Sequence, residues 1–350
     1  HRGCTAGAVE KRQAGHPWEV PHLWHYRVPN RQSLTPCSLR YHLGWIDQEG
    51  RPADNQPPFS FLPALALAVC RAISGDMEPA LPAAAGVELV RNFTLVHGEV
   101  QSARVESPER PSVWWVWGPA QAINAGDGLH ALGRTTIMRL AQRGVPPEGV
   151  LRAVETMDRA CLALCEGQYM DLDFQDQTLV TSAAYFHMVD LKSGALAGCA
   201  AELGAISAAA LGGPATEHNE SHFREFGKGL GTAWQITLDV ADMWGREGGG
   251  MTPSNALNKK KGLPLVHALE TASPSAKRQL ATIYVKRVLE DEDLSRLVNI
   301  LDESGSRRFA EAKARELAGE AVGHLEDCGL PSEAMEELAG MAEWVLEGGA

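Results

Sequence analysis

Residues 234–245 read WQITLDVADMWG and have the spacing of an amphipathic α-helix. Gln235, Asp239 and Asp242 are three or four residues apart, so a helix places them on one face among apolar neighbours. Two stacked carboxylates on a half-buried wall suit a hard cation such as magnesium. A solvated acidic face is the commoner meaning of such spacing. The pattern therefore leaves a metal site and a plain polar surface both open.

The same helical spacing recurs along most of the chain, and it predicts an all-α protein. Glycine and proline cluster between the periodic segments, as at residues 144–147 and 248–250. No alternating run is long enough to predict a sheet. Residues 1–38 lack periodicity and predict a poorly ordered arm, while residues 39–350 predict one domain. The predicted helices are residues 61–74, 80–101, 119–143, 148–170, 181–211, 218–245, 262–271, 274–290, 292–303, 306–327 and 331–347.

Composition excludes several classes of protein. A net charge of -12 and a pI near 5.5 argue against a nucleic-acid-binding surface, which needs clustered Lys and Arg. No run of about 18 uninterrupted apolar residues predicts a membrane span. Seven irregularly spaced cysteines do not predict a disulfide framework, and they favour a reducing, cytoplasmic setting. Cys161 and Cys165 are interpreted as small core residues, because no further His or Cys completes a zinc site.

Several short motifs follow one another in an order that resembles the trans-prenyl diphosphate synthases. In that family a helix ends in H-D-D-x-x-D, a loop carries R-R-G-x-P, and a helix with A-x-N-x-G-D follows. Elements E-G-Q, K-T, F-G-x-x-L-G-x-x-F-Q-x-x-D-D-x-x-D and K-K-x-L-P come later. The resemblance covers residues 41–347. The matching positions are His97, Pro111, Trp114, Gly118, Ala122, Asn124, Gly126, Asp127, Glu166, Gly167, Gln168, Lys192, Ser193, residues 226–242 and residues 260–264.

The resemblance implies a single large helical bundle of the isoprenoid synthase type around a central apolar cavity. Such proteins are typically dimers that ionise an allylic diphosphate with magnesium and add the cation to isopentenyl diphosphate. It implies that Glu99, Asp239 and Asp242 are the catalytic and metal-binding carboxylates, with Glu99 and Asp239 on facing helices at one mouth of the cavity. The implied substrate-binding residues are Lys192, Gln235, Lys261, Arg110, Phe93 and Gln168.

The chain departs from the family pattern at both substrate sites. Only Glu99 remains of the three carboxylates in the first aspartate-rich element, and Phe59 and Leu62 replace the cations that should hold isopentenyl diphosphate. Each lost charge-assisted contact is worth roughly 1.5 to 3 kcal/mol, so ordinary chain elongation is not expected. The other substituted positions are Gly98 and Ser102 in the first element, Ser107, Pro108 and Glu109 in the arginine loop, Leu238 in the second element, and Gly250 and Asn255 after it.

Three interpretations follow. The favoured one is a degenerate homologue that binds an isoprenoid diphosphate or another hydrophobic small molecule, or pairs with an active synthase subunit in a homodimer or heterodimer. The alternative is a repurposed magnesium-dependent enzyme, a terpene cyclase or a prenyltransferase to another acceptor, that uses Asp239, Asp242 and Glu99. The third is a plain pseudoenzyme. A weak or partial site for one hydrated Mg²⁺ is expected, since several divalent ions need more anionic oxygens than remain.

Overall fold

The computed structural model describes residues 37–53, 61–102, 110–212, 217–245, 259–286 and 289–348, and its regular elements there are helices. Within these residues, extended pairing is confined to one isolated bridge between Ile46 and Pro52. The all-α prediction is confirmed. The helices are α1 (Cys37–His42), α2 (Phe61–Ser74), α3 (Leu81–Ser102), α4 (Val113–Trp117), α5 (Pro119–Ile137), α6 (Pro147–Asp176), α7 (Ser182–Val189), α8 (Ala195–Ala208), α9 (Glu217–Trp244), α10 (Leu263–Thr271), α11 (Pro274–Val285), α12 (Asp291–Glu303), α13 (Ser306–Gly323) and α14 (Ser332–Leu346).

Helix α8 is the centre of the bundle. Its residues from Leu196 to Ala208 are all buried, because its small and aliphatic side chains let neighbouring helices approach on every side. The segment Ser182–Leu211 is long and apolar enough to cross a membrane, but 78% of its most apolar window is buried inside the protein. That burial is typical of a core helix.

The elements that carry the functional residues surround this core. Helices α3 and α5 pack against each other, and α6 packs against α8. A π-helical turn, Asp190–Gly194, joins α7 to α8 and carries Lys192. The C-terminal half of α9 carries Gln235 and Asp239 beside the start of α10. Side chains from separate parts of the chain thus meet at one end of the bundle.

Most predicted helices have bounds close to those observed, and the differences have local causes. Predicted segment 181–211 is interrupted by the π-helical turn, and α6 extends beyond residue 170 to Asp176. Predicted segment 274–290 ends early at Val285, where Lys286 adopts extended backbone angles. Helices α1 and α4 have six and five residues, too few for a periodic signal. Residues 1–36 of the predicted arm lie outside the described residues, and the single domain over 39–350 stays a prediction.

Candidate functional site

A cavity of about 990 Å³ lies between α3, α5 and α6. Its size is that of a small-molecule or cofactor site. Phe93 on α3 makes edge-to-face contacts with two imidazole rings, with ring centroids 5.0 Å apart for His97 and 5.4 Å apart for His130. Leu164 and Leu172 of α6 add apolar wall, and the cavity has mixed apolar and polar lining. We call this space the main cavity.

A second cavity, of about 40 Å³, adjoins one end of the main cavity. Asp171, Tyr185, Gln235 and Asp239 line it, together with Lys261. Two further side chains, those of Lys192 and Lys260, line both cavities and mark their boundary. We call the two lysines and Asp171 the lysine end.

One carboxylate oxygen of Asp171 contacts both lysines of the lysine end. Lys192 Nζ donates to Asp171 Oδ2 at 2.6 Å, and Lys260 Nζ lies 3.4 Å from the same oxygen. Burial alone would raise the pKa of Asp171, but Lys192 and Lys260 outweigh it and hold that pKa below its usual value. Gly167 permits the approach of α6 to the π-helical turn, because a Cβ there would lie 3.0 Å from the backbone of Lys192.

Asp239 is enclosed by hydrogen-bond donors. The Tyr185 hydroxyl donates to Asp239 Oδ2 at 2.6 Å, the Leu263 backbone N–H donates to the same oxygen at 3.0 Å, and Gln235 Nε2 donates to Oδ1 at 3.0 Å. The residue is 5% exposed, and burial raises its pKa. Gly262 makes room for this contact, since a Cβ there would lie 3.0 Å from Asp239 Oδ2. Asp239 therefore fastens α7, α9 and α10 together.

The other predicted carboxylates lie elsewhere. Asp242 is half-buried and lines neither cavity. Burial is the main cause of the raised pKa of Tyr284, and the charge of Asp242 adds to it. Glu99 is buried and lines the main cavity from α3. Glu99 and Asp239 thus line different cavities, with the boundary lysines between those spaces. The structure does not bring the three predicted metal ligands together.

The remaining predicted binding residues separate into two groups. Phe93 and Gln168 line the main cavity, where Gln168 Nε2 donates to Gln101 Oε1 at 2.8 Å and links α6 to α3. Arg110 lines neither cavity, because its guanidinium lies over the ring of Tyr41 and donates to the Tyr41 carbonyl. Lys261 lines the smaller cavity, but its ammonium lies 4.4 Å from the centre of the Tyr284 ring. Of these, Phe93 and Gln168 join the lysine end in one site.

Comparison with known proteins identifies the family. The polyprenyl synthetase model matches residues 60–301. This chain belongs to the polyprenyl synthetase family. It is 31% identical to the (2E,6E)-farnesyl diphosphate synthase of Mycobacterium tuberculosis over 88% of this chain and 85% of that protein. It is 34% identical to the geranylgeranyl diphosphate synthase of the same organism, over 87% of this chain and 85% of that one.

Solved structures agree with this assignment. A polyprenyl synthetase from Streptomyces coelicolor A3(2) superposes with a TM-score of 0.79 and 30% identity, covering 89% of this chain and 92% of that chain. A geranylgeranyl pyrophosphate synthetase from Pyrococcus horikoshii Ot3 gives a TM-score of 0.73 and 29% identity, over 82% and 85% of the two chains. The family resemblance and the isoprenoid synthase fold are thereby confirmed.

The described residues of this family member fit a magnesium cluster poorly. In that part of the chain, no group of three or more His, Cys, Asp or Glu side chains could hold a metal ion. The oxygens of Asp239 already accept from three donors, and Gly98 and Ser102 supply no carboxylate from α3. Ser102 Oγ donates to the Gly98 carbonyl instead. The magnesium site at Asp239, Asp242 and Glu99 stays a prediction, without a described geometry to support it.

Three residues of the site were missed by the sequence reasoning. Asp171 binds both boundary lysines, and Tyr185 donates to Asp239. Lys260, not its neighbour Lys261, faces the main cavity. The spacing of Gln168 and Asp171, three residues apart, could have predicted one shared helix face. The choice between adjacent lysines could not be made, because it depends on the turn that precedes Leu263.

Proposed function

We propose that this chain binds an isoprenoid diphosphate, with its hydrocarbon tail in the main cavity and its diphosphate at the lysine end. The observation that carries the proposal is the position of Lys192 and Lys260, whose side chains line one end of a cavity large enough for such a tail. Ammonium groups favour phosphate oxygens, and the apolar part of the cavity wall favours the tail. The farnesyl and geranylgeranyl diphosphate synthase names of the relatives support the same class of ligand.

Chain elongation is strongly impaired in this proposal. The α3 wall of the main cavity presents Gly98, Glu99 and Ser102, so α3 contributes one carboxylate at these three positions. Departure of a diphosphate needs neutralisation of the charge that develops on it. The lysine end supplies part of that neutralisation, and the described carboxylates do not assemble a metal cluster to supply the rest.

The side chains around the cavity have separate roles in binding. Phe93 forms apolar wall for the tail, and Gln168 holds α6 to α3 through Gln101. Gln235 orients Asp239 through its amide, and Asp239 holds the start of α10 through the Leu263 N–H. Since Lys260 precedes that start by a few residues, Asp239 and Gln235 act on the ligand through the position of Lys260.

We propose that a second chain of the same family covers the open side of the main cavity. Leu151, Leu162 and Tyr169 of α6 are 72%, 73% and 72% exposed, and their spacing places them on one helix face. Leu162 and Tyr169 also line the main cavity. A stripe of large exposed apolar side chains is typical of an interface. We expect a homodimer. The measurement is the molecular mass of the purified chain in solution, alone and mixed with an active synthase, and a heterodimer in the mixture is the other outcome.

Binding and turnover are measured on the purified chain with farnesyl and geranylgeranyl diphosphates. We expect both to bind and Lys192→Ala to weaken binding by about tenfold or more, because a charge-assisted contact is lost. Lys228→Ala is the matched control, since Lys228 pairs with Asp190 and lines neither cavity. Addition of isopentenyl diphosphate should give turnover far below roughly 1 per second. Absence of binding, or equal loss in both variants, would refute the proposal.

The same assay separates the alternative functions. Release of diphosphate with a cyclic hydrocarbon product would identify a terpene cyclase, and release only with an added acceptor would identify a prenyltransferase. Both require a metal-assisted ionisation that Asp239, Asp242 and Glu99 would have to support from separate positions. The described geometry therefore favours binding over either reaction.

A further inference from the structure

The lysine end already contains an anion, the carboxylate of Asp171. Its Oδ2 atom lies 2.6 Å from Lys192 Nζ and 3.4 Å from Lys260 Nζ, so a single oxygen bridges two ammonium groups. A terminal phosphate oxygen bound by both lysines would take a similar position between them. Asp171 is 5% exposed and reaches the lysines from the small cavity, whereas a ligand would reach them from the main cavity.

The net charge of the lysine end determines its attraction for an anionic ligand. Two ammonium groups and one carboxylate leave a net charge of +1 while Asp171 is in place. Asp171 stays ionised despite its burial, because both lysines hold its pKa below the usual value. Burial lowers the pKa of Lys192, and Asp171 opposes that effect. The internal carboxylate thus favours the charged form of Lys192 and also competes with a ligand for both lysines.

A divalent ion has few partners here among the described residues. Its usual role is to bridge diphosphate oxygens to protein carboxylates. Across the main cavity, α3 offers Gly98 and Ser102 on either side of Glu99, and the Ser102 hydroxyl is engaged with the Gly98 carbonyl. Asp239 accepts three hydrogen bonds from its own chain. The cavity is also lined by Asp127 and Asp158, but no group of three or more His, Cys, Asp or Glu side chains among the described residues could hold a metal ion. The cations that the described residues offer to a diphosphate are therefore Lys192 and Lys260.

We propose that Lys192 and Lys260 form an anion site that works without a divalent metal ion, and that Asp171 is the internal competitor of the anion that binds there. A bound diphosphate takes the lysines from Asp171 and moves them toward the main cavity. The inference rests on the proposed diphosphate binding for its ligand, but it concerns the head group alone and can be tested with inorganic pyrophosphate.

The test is calorimetric titration of inorganic pyrophosphate into wild type, Asp171→Asn and Asp173→Asn, each with EDTA and with magnesium. Asp173 lies on the same helix and is exposed, so Asp173→Asn is a matched change of charge. We expect Asp171→Asn to bind pyrophosphate about tenfold more tightly than wild type or more, because both ammonium groups are released. Asp173→Asn should resemble wild type. Affinity in EDTA should be at least as high as in magnesium for all three proteins.

Weaker binding by Asp171→Asn, or an affinity that rises when magnesium is added, would overturn the inference and would instead assign Asp171 to a metal site. If Asp171→Asn does not fold, Lys260→Met in the intact chain decides. We expect it to lose about tenfold in pyrophosphate affinity in EDTA, whereas unchanged affinity would overturn the inference. Titration of geranylgeranyl diphosphate separates the two proposals. Pyrophosphate binding without any gain from the isoprenoid tail refutes the proposed function and leaves this inference standing.

Discussion

The α3 wall and the lysine end both line the main cavity, but they differ in the charged side chains that they contribute. The α3 wall has Gly98 and Ser102 on either side of its single carboxylate, Glu99. The lysine end keeps Lys192 and Lys260, each in contact with Asp171. The described α3 wall therefore offers a ligand one carboxylate, whereas the lysine end offers it two ammonium groups.

The difference follows from what each side chain does for the fold. Gly98 faces open space, since nothing lies within 4 Å of a Cβ added there, so a carboxylate at that position would contact ligand and water. Asp239 and Asp171, in contrast, join helices that are distant in sequence. Loss of a ligand-facing carboxylate costs the fold little, whereas loss of a buried bridging one leaves its partners without acceptors.

The largest expected effect is on stability, from Asp239→Ala. This change removes the acceptor of the Tyr185 hydroxyl, the Leu263 N–H and the Gln235 amide in a buried place. We expect the free energy of unfolding in urea to fall by about 3 kcal/mol. Asp242→Ala is the control, because Asp242 is half-buried, and it should cost about 1 kcal/mol or less. An equal fall in the free energy of unfolding of both variants would show that the hydrogen bonds of Asp239 do not stabilise the fold more than the contacts of Asp242 do.

That contrast shows how far the sequence alone could lead. Periodicity predicted the helices, including α9 and the shared face of Gln235 and Asp239, because local spacing fixes both. It could not show that Asp239 turns inward to Leu263 N–H while Asp242 lies outside both cavities. Those orientations depend on α7 and α10, which are distant from α9 in sequence. Two carboxylates at metal-ligand spacing therefore have separate surroundings.

The motif resemblance identified the family, but it could not place every single side chain. The resemblance implied that Arg110 binds substrate, but its guanidinium lies over the Tyr41 ring. The resemblance implied Lys261 as a substrate-binding residue, yet Lys261 lies over the Tyr284 ring and Lys260 contacts Asp171. Lys259 precedes them with a positive φ of 56°, a backbone turn that no composition or periodicity predicts. Tertiary contacts therefore determine which lysine lines the main cavity.

A restored α3 wall should sharpen the comparison between the two ends. The double change Gly98→Asp and Ser102→Asp adds two carboxylates to the main cavity that Lys192 and Lys260 also line, and a Cβ added at Gly98 meets no atom within 4 Å. We expect geranylgeranyl diphosphate to bind about tenfold more tightly in magnesium than in EDTA in this variant, because metal-bridged contacts become available. The measurement is calorimetric titration in both conditions.

The control for this change is Gly98→Asn with Ser102→Asn, which has similar volume and no added charge. It should show no dependence on magnesium. If the double aspartate variant also binds equally well in both conditions, the α3 wall is not what separates this chain from a metal-dependent site. A gain in both variants would mean that packing against the ligand, and not charge, was restored.

The smallest expected effect is the dependence of stability on pH, in which the lysine end and Asp239 act with opposite signs. The pKa of Asp171 is lower in the folded protein than its ordinary value of 3.8, so the folded state favours its ionised form. Its contribution is complete above the ordinary value and is lost as pH falls through the folded value. The pKa of Asp239 is raised by burial, so its contribution is present at low pH and is lost as pH rises through its folded value.

Comparison of wild type with Asp171→Asn isolates the first contribution. The free energy of unfolding of wild type should exceed that of Asp171→Asn at pH 7, and the gap should narrow as pH falls through about 4, where unfolded aspartates take up protons. Urea unfolding at a series of pH values measures the gap, with Asp173→Asn as the control from the same helix. A gap that stays constant, or widens in acid, would mean that the two lysines do not hold Asp171 ionised. The net charge of +1 at the lysine end, which assumes an ionised Asp171, would then be wrong.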